Sequence, residues 1–174
     1  MIGYIGEKEQ LDFFQQFECP VSGEFDLDEV SGIIVNESSM IAADAIRTAA
    51  EKNIAVLAVL DGFESLISAF GGELQMLENC AEGKQELAVI NPETPLYYDL
   101  ERVISICRGT PATVSDLGLP PVLGCVSRSE SGEIIAVEYL PAPGKVYGIN
   151  FYLNSSLTPK STNILQNFFK LCNR

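Results

Sequence analysis

The chain has 174 residues, of which 47% are hydrophobic and 20% are charged, which is ordinary for a globular domain with a real core. Lys and Arg total 11 against 24 Asp and Glu, so the formal net charge is -13. A field of that sign repels phosphate backbones and anionic lipids, so we expect no nucleic-acid partner and no membrane partner. Residues 1–174 are expected to form a single domain. The first ten residues lack the pattern of a secretory signal, so a cytoplasmic location is expected.

Cysteine and histidine usage limits the possible chemistry. The sequence has no histidine, which excludes Ser-His and Cys-His catalysis and any histidine metal ligand. The cysteines are scattered without a CxxC spacing, so reduced thiols are expected rather than a disulfide framework or a zinc site. They are Cys19, Cys80, Cys107, Cys125 and Cys172. We expect no cofactor and no bound metal.

The first half of the chain alternates short apolar runs with helical patterns. Strands are predicted at residues 1–5, 32–35 and 54–60, and helices at residues 10–17, 41–49 and 62–70. The run 54–60 has no polar side chain, as expected for a strand that is covered on both faces. The helix after it should end at Gly71-Gly72. This alternation predicts a parallel sheet between layers of helices.

The second half is richer in strands. They are predicted at residues 86–90, 122–127, 134–140 and 146–151, with a turn at 129–132 and a loop at 109–121. A last helix is predicted with Thr158 as its N-cap and Pro159 at its first position. Its buried face should consist of Ile164, Leu165, Phe168, Phe169 and Cys172.

Two stretches resemble the landmarks of class I (triad) glutamine amidotransferases. They are residues 54–72, IAVLAVLDGFESLISAFGG, and residues 146–172, VYGINFYLNSSLTPKSTNILQNFFKLC. In that family a buried strand ends in a strained turn that presents a nucleophilic cysteine, and the following helix closes at Gly-Gly. Counted back from the Gly-Gly pair, the cysteine position falls on Leu60, with Gly62 at a flanking glycine position. The resemblance implies a three-layer, flavodoxin-like α/β sandwich with a mostly parallel central sheet.

The same resemblance implies that the catalytic triad has degenerated. The position of the family's general base holds Tyr152, and the position that orients the base holds Asn154. An unperturbed tyrosine has a pKa near 10 and is a poor base at neutral pH. Leu60 has no nucleophilic atom, so glutaminase activity is not expected. The function implied is that of a catalytically inactive homologue acting as a protein-binding or regulatory module.

Around the former catalytic pocket, the residues predicted to bind a ligand are Asn36, Glu37, Asp61, Gly62, Glu64 and Tyr152. Carboxylates that converge there could bind a cation, an amine or a hard metal ion. The alternative is that Asp61 and Glu64 simply begin a helix, where negative charge suits the helix dipole. A small-molecule sensor, or an enzyme with unrelated chemistry in the same pocket, also remains open.

The resemblance further implies contact with another protein, because the site face of the family docks onto a synthetase. A degenerate copy would keep that docking or form a homodimer. The proline-rich tract 111–123 is a candidate contact surface, since it contains Leu117, Leu119, Val122 and Leu123. The alternative is that this tract folds over the core.

Overall fold

The computed structural model describes residues 1–17 and 19–174. Its strands are β1 (Ile2–Gly6), β2 (Val21–Ser22), β3 (Gly32–Asn36), β4 (Ala55–Val59), β5 (Leu74–Met76), β6 (Gln85–Ile90), β7 (Val103–Arg108), β8 (Ala112–Val114), β9 (Leu123–Ser129), β10 (Ile134–Tyr139), β11 (Val146–Ile149) and β12 (Phe151–Tyr152). Its helices are α1 (Lys8–Phe14), α2 (Met40–Glu51), α3 (Asp61–Ala69) and α4 (Ser161–Cys172).

The main sheet has the strand order β12-β7-β6-β9-β10-β11-β4-β3-β1-β2. In one half, β2, β1, β3, β4 and β11 pair in parallel. In the other half, β10, β9, β6, β7 and β12 pair antiparallel. Because parallel strands end at a common edge, the turns that follow β3 and β4 lie side by side.

Strand β4 shows how the helix layers cover the sheet. Its side chains alternate between the two faces, as they must in a strand. Leu57 and Val59 pack in the core cluster that contains buried side chains of α1 and α4. Val56 and Ala58 pack in the other cluster, with side chains of α2 and α3. The sheet therefore lies between two helix layers, and the predicted α/β sandwich is confirmed.

The strand and helix predicted around the resemblance are confirmed. The strand predicted at 54–60 is β4, and the helix predicted at 62–70 is α3. Gly71, just beyond α3, has φ +81, the left-handed conformation that ends many helices and that glycine adopts without strain. Local signals were sufficient here because the uninterrupted apolar run and the Gly-Gly pair mark the two elements within one short stretch of sequence.

Two predictions about helix ends need correction. Helix α1 begins at Lys8 and ends at Phe14, so Phe17 lies beyond it. The last helix begins at Ser161 with Lys160 as its N-cap, and Thr158 is buried before it. The Thr158 hydroxyl accepts a hydrogen bond from the backbone N–H of Cys107 at 2.8 Å and donates one to the backbone oxygen of Tyr152 at 2.6 Å. That tertiary role has displaced the expected capping role.

The tract 109–121 is also more ordered than predicted. It contains β8, whose residues are all buried and which pairs antiparallel with β5. Of the four apolar side chains predicted to form a contact surface, Leu123 is buried, and Leu119 and Val122 pack against the core. Only Leu117 is fully exposed. Most of these side chains pack towards the core, so the prediction of residues 111–123 as a contact surface was wrong and the alternative, that the tract folds over the core, is correct.

Candidate functional site

A strained turn joins β4 directly to α3. Its residue, Leu60, has φ 55 and ψ -112, a region in which a bulky side chain costs about 1–3 kcal/mol. The turn is fixed by two backbone hydrogen bonds. The N–H of Leu60 donates to the backbone oxygen of Ile149 at 2.9 Å, and the N–H of Phe63 donates to the backbone oxygen of Leu60 at 2.8 Å. The sequence-based placement of Leu60 at the end of a central parallel strand is confirmed.

The neighbouring loop braces this turn from β3. A Cβ atom on Gly62 would lie 1.9 Å from the backbone oxygen of Val35, so only glycine lets α3 begin this close to β3. The Ser65 hydroxyl donates to the backbone oxygen of Glu37 at 2.6 Å and accepts from the backbone N–H of Ser39 at 3.1 Å. The start of α3 is therefore held against the end of β3 by close packing and by hydrogen bonds.

A glycine variant is usually less stable than the alanine variant at the same position, and the strain at Leu60 predicts the opposite order there. Leu60→Ala and Leu60→Gly both remove a buried side chain, but only alanine keeps the Cβ that disfavours φ 55. We expect Leu60→Gly to be more stable than Leu60→Ala by about 1 kcal/mol in urea denaturation. The same pair at Leu57, inside β4, is the control, and there alanine should be the more stable. If the alanine variant were the more stable one at both Leu60 and Leu57, the turn at Leu60 would not be strained.

A cavity of about 270 Å³ opens above the turn. Its lining consists of Glu7, Gln10, Asn36, Leu60, Asp61, Glu82, Thr110 and Tyr152. The lining is mostly polar, and it contains three carboxylates but neither lysine nor arginine. Such a site attracts a cationic group and repels an anionic one. Among residues 1–17 and 19–174, however, no group of acidic or cysteine side chains is arranged to hold a metal ion.

Half of the residues predicted for this site line the cavity. Asn36, Leu60, Asp61 and Tyr152 do so, and they come from three separate strand ends. Leu60 and Tyr152 therefore lie at the same edge of the sheet, as the resemblance implies for the two catalytic positions they occupy. Asp61 also begins α3, so the alternative role of starting a helix and a role in the cavity coexist in one residue.

The other predicted residues are not among the lining residues; they are Glu37, Gly62, Glu64 and Asn154. Glu37 accepts a hydrogen bond from the Ser39 hydroxyl at 2.6 Å, and the same hydroxyl caps α2. Asn154 donates to the Gln10 side chain at 3.1 Å. Burial raises the pKa of the Glu64 carboxyl, with the Asp61 charge adding to this, while hydrogen bonds from Ser38 and Thr110 oppose it. Gly62 is needed for packing.

Sequence reasoning missed four lining residues. Glu7 and Gln10 come from the start of α1, Glu82 from the segment between β5 and β6, and Thr110 from the segment between β7 and β8. The position of Thr110 is set by the Asn150 side chain. This side chain accepts a hydrogen bond from the backbone N–H of Thr110 at 3.1 Å and donates one to the backbone oxygen of Thr110 at 3.0 Å. A polar residue within the apolar strand pattern 146–151 was the available signal for this contact.

Tyr152 is held as a hydrogen-bond donor. Its hydroxyl donates to the Glu82 carboxylate at 3.0 Å. Burial raises the pKa of Tyr152 to about 12, and the hydrogen bond and charge of Glu82 add to this. At neutral pH the side chain therefore keeps its proton, and a phenol in that state cannot act as a general base.

The raised pKa of Tyr152 predicts a loss of stability in alkali. An unfolded tyrosine has a pKa near 10, so as pH rises it loses its proton before the folded one, whose pKa is about 12. The contribution of Tyr152 is therefore complete below pH ~10 and is lost as pH approaches ~12. We expect the free energy of unfolding to fall more steeply across this range for the wild type than for Tyr152→Phe. Parallel curves in urea titrations would contradict the assignment.

Comparisons with known proteins agree with this geometry. The family description "Glutamine amidotransferase class-I" matches residues 29–172. The bifunctional protein TrpGD of Thermotoga maritima is 24% identical over 98% of this chain, and the match spans 30% of its own length. Anthranilate synthase component 2 of Mycobacterium tuberculosis is 25% identical over 89% of this chain and 66% of its own length. The chain therefore spans less than two thirds of either relative.

A solved structure adds support for the fold. The crystal structure of a glutamine amidotransferase from Thermotoga maritima superposes with a TM-score of 0.71 and 16% identity, covering 97% of this chain and 81% of that one. At this identity the likeness concerns the fold alone. The family match, which covers most of the chain, is what decides the assignment. This chain belongs to the class I glutamine amidotransferase family.

Proposed function

We propose that this chain is a catalytically inactive member of its family and acts as a cytoplasmic protein-binding or regulatory module. The observation that carries the proposal is Leu60, an apolar side chain on the strained turn beneath an open polar cavity. The backbone that would present a nucleophile is retained, while the nucleophile is missing.

The surrounding residues support a loss of glutaminase chemistry. Acyl transfer through a side-chain nucleophile needs a base to activate it and a group to orient the base. At the positions that match the family's base and its orienting group, Tyr152 has a raised pKa and donates a hydrogen bond to Glu82, and Asn154 donates a hydrogen bond to Gln10. The sequence contains no histidine that could approach from elsewhere.

The glutaminase assay tests this proposal. Purified protein should release no ammonia from glutamine above background, since losing one triad member already removes several orders of magnitude of rate. Leu60→Cys should also be inactive because no base is present. Turnover that survives repurification and disappears in Leu60→Ala would show that the catalytic positions have been assigned wrongly.

A protein partner is supported by the relatives and by the surface. A relative is described as component 2 of anthranilate synthase, so assembly with another chain has a precedent within the family. Two large apolar side chains, Met40 and Ile41, are 83% and 76% exposed at the start of α2, a few residues beyond Asn36 in the cavity lining. We propose that the partner covers them and directs a basic side chain towards the carboxylates of the cavity.

Surface variants distinguish this docking face from other surfaces. Met40→Glu and Ile41→Glu should abolish retention of a partner from native cell extract, whereas Leu117→Glu, at a fully exposed leucine, should not. Light scattering at several concentrations would identify a homodimer, and the same variants should dissociate it. Equal effects of all three substitutions would contradict docking at this face.

A second candidate function is the binding of a small cationic molecule. It is favoured by the open cavity and by its three carboxylates without a lining cation. Titration with small amines would decide between the two. A strict monomer that retains no partner but binds an amine tightly, with affinity lost in Asp61→Asn, would favour the sensor function over the docking module.

A further inference from the structure

The small two-stranded sheet of β5 and β8 has one open edge. Strand β8 is buried along its whole length, whereas Leu74, Gln75 and Met76 of β5 are all exposed. Among the described residues, β5 pairs with no strand other than β8. This edge shares no residue with the cavity above Leu60, nor with the exposed apolar pair at the start of α2. Its occupation therefore does not depend on the function proposed above.

The register of the two strands shows which backbone groups of β5 are unpaired. The N–H of Leu77 donates to the backbone oxygen of Pro111 at 2.9 Å, one position beyond the three residue pairs of the ladder. In an antiparallel ladder, hydrogen-bonded and non-hydrogen-bonded residues alternate. Gln75 therefore bonds to β8, whereas the N–H and C=O groups of Leu74 and Met76 point away from it. No other backbone hydrogen bond within the described part of the chain uses these four groups.

An exposed strand with unpaired N–H and C=O groups is a template for an additional strand. Proteins often block such an edge with a lysine, a proline or a bulge, and β5 has none of these. Side chains alternate along a strand, so Leu74 and Met76 lie on one face, where they are 36% and 66% exposed. An added strand would therefore gain up to four backbone hydrogen bonds and would cover two apolar side chains.

The charges around this edge restrict which strand can add to it. Residues 72–83 contain three glutamates and neither lysine nor arginine. Two of them, Glu73 and Glu78, flank β5, are exposed and take part in no ion pair of the described chain. A strand with basic residues at its ends is therefore attracted, and an acidic one is repelled. A second copy of this chain is disfavoured, because two antiparallel β5 strands would bring the glutamates of both copies together.

We propose that β5 receives an extended segment of a partner protein, in which apolar and polar side chains alternate between flanking lysines or arginines. The segment pairs with the free backbone groups of Leu74 and Met76. Its apolar side chains cover the side chains of these two residues, and its basic ends lie beside Glu73 and Glu78. Affinity then comes from the main-chain hydrogen bonds, and the choice of partner comes from the alternating side chains and the end charges.

Three synthetic peptides test the proposal in titrations of the intact chain. The first, KKVTVTVKK, has the proposed pattern. The second, EEVTVTVEE, reverses the charge at its ends, and the third, KKVTPTVKK, keeps the charge but has a central proline that cannot donate to a ladder. The first peptide should bind at least ten-fold more tightly than either of the others. Absence of binding by the first peptide, or equal binding of the three, would overturn the proposal.

Amide hydrogen exchange followed by NMR distinguishes strand addition from a purely electrostatic attraction. With the first peptide bound, the exchange rates of the Leu74 and Met76 amides should fall at least ten-fold. The Gln75 amide, which is already bonded to β8, should change much less. Binding without protection of Leu74 and Met76 would overturn the proposal.

Two variants locate the added strand. Met76→Pro removes an N–H that points away from β8, so the chain should still fold while affinity for the first peptide falls at least ten-fold. Should this variant fail to fold, the double variant Glu73→Lys with Glu78→Lys is an independent test, and it should prefer the glutamate peptide. The same charge change at the exposed Glu29 and Glu51 is its control and should leave the preference unaltered. Undiminished binding by a folded Met76→Pro, or a double variant that keeps the wild-type preference, would overturn the proposal.

Discussion

Replacing Asn150 by aspartate is expected to lower the free energy of unfolding by about 3–5 kcal/mol. The Asn150 side chain is fully buried, and its Nδ2 donates to the backbone oxygens of Thr110 at 3.0 Å and Ala112 at 2.8 Å. Its Oδ1 accepts from the N–H of Thr110 at 3.1 Å. Aspartate would place a carboxylate oxygen against two carbonyl oxygens that have lost their donor, and it would bury a charge.

A matched control for Asn150→Asp is the same substitution at Asn163, which is exposed on α4. There the effect should stay within about 0.5 kcal/mol, as for most surface positions. Urea denaturation followed by circular dichroism measures both variants. Because Asn150 fixes Thr110 in the cavity lining, a folded Asn150→Asp protein should also lose any ligand of that cavity. A loss of stability below about 1 kcal/mol would show that the segment carrying Thr110 is held by other contacts.

The part of the site that could be predicted from the sequence is the part built from local signals. The apolar run of β4 and the Gly-Gly end of α3 each have a distinct local pattern, and the resemblance placed the turn at Leu60 between them. The resemblance then related Tyr152 to the same edge of the sheet. Together these signals placed two of the lining residues, Leu60 and Tyr152, at one site before any contact was known.

The missed part of the site depends on contacts that no local pattern records. Glu82 reaches Tyr152 from 70 positions away in the sequence, from a segment whose approach follows from the antiparallel pairing of β6 with β7. Thr158 has a strong capping pattern with Pro159, yet its hydroxyl bonds elsewhere. Similarly, β5 is short and exposed, so its pairing with β8 leaves little trace in hydrophobic periodicity.

Replacing Gly62 by alanine is expected to destabilise the chain by about 3 kcal/mol, at the upper end of the range for overpacking. The added Cβ would lie 1.9 Å from the oxygen and 2.6 Å from the carbon of Val35, and backbone atoms cannot move aside as the end of a side chain can. The start of α3 would have to shift away from β3, taking Leu60 and Asp61 with it. The cavity that those residues line should therefore lose ligand binding even where the variant still folds.

Gly23→Ala is the control for Gly62→Ala, because its Cβ would meet only the flexible Leu11 side chain, at 3.3 Å. The expected change there is within about 0.5 kcal/mol in urea denaturation, with the chain otherwise unaltered. If Gly62→Ala were as stable as Gly23→Ala, the close contact between α3 and Val35 would not exist in solution. The strained turn at Leu60 would then lack its main support, since packing against β3 is what keeps a bulky residue at a positive φ.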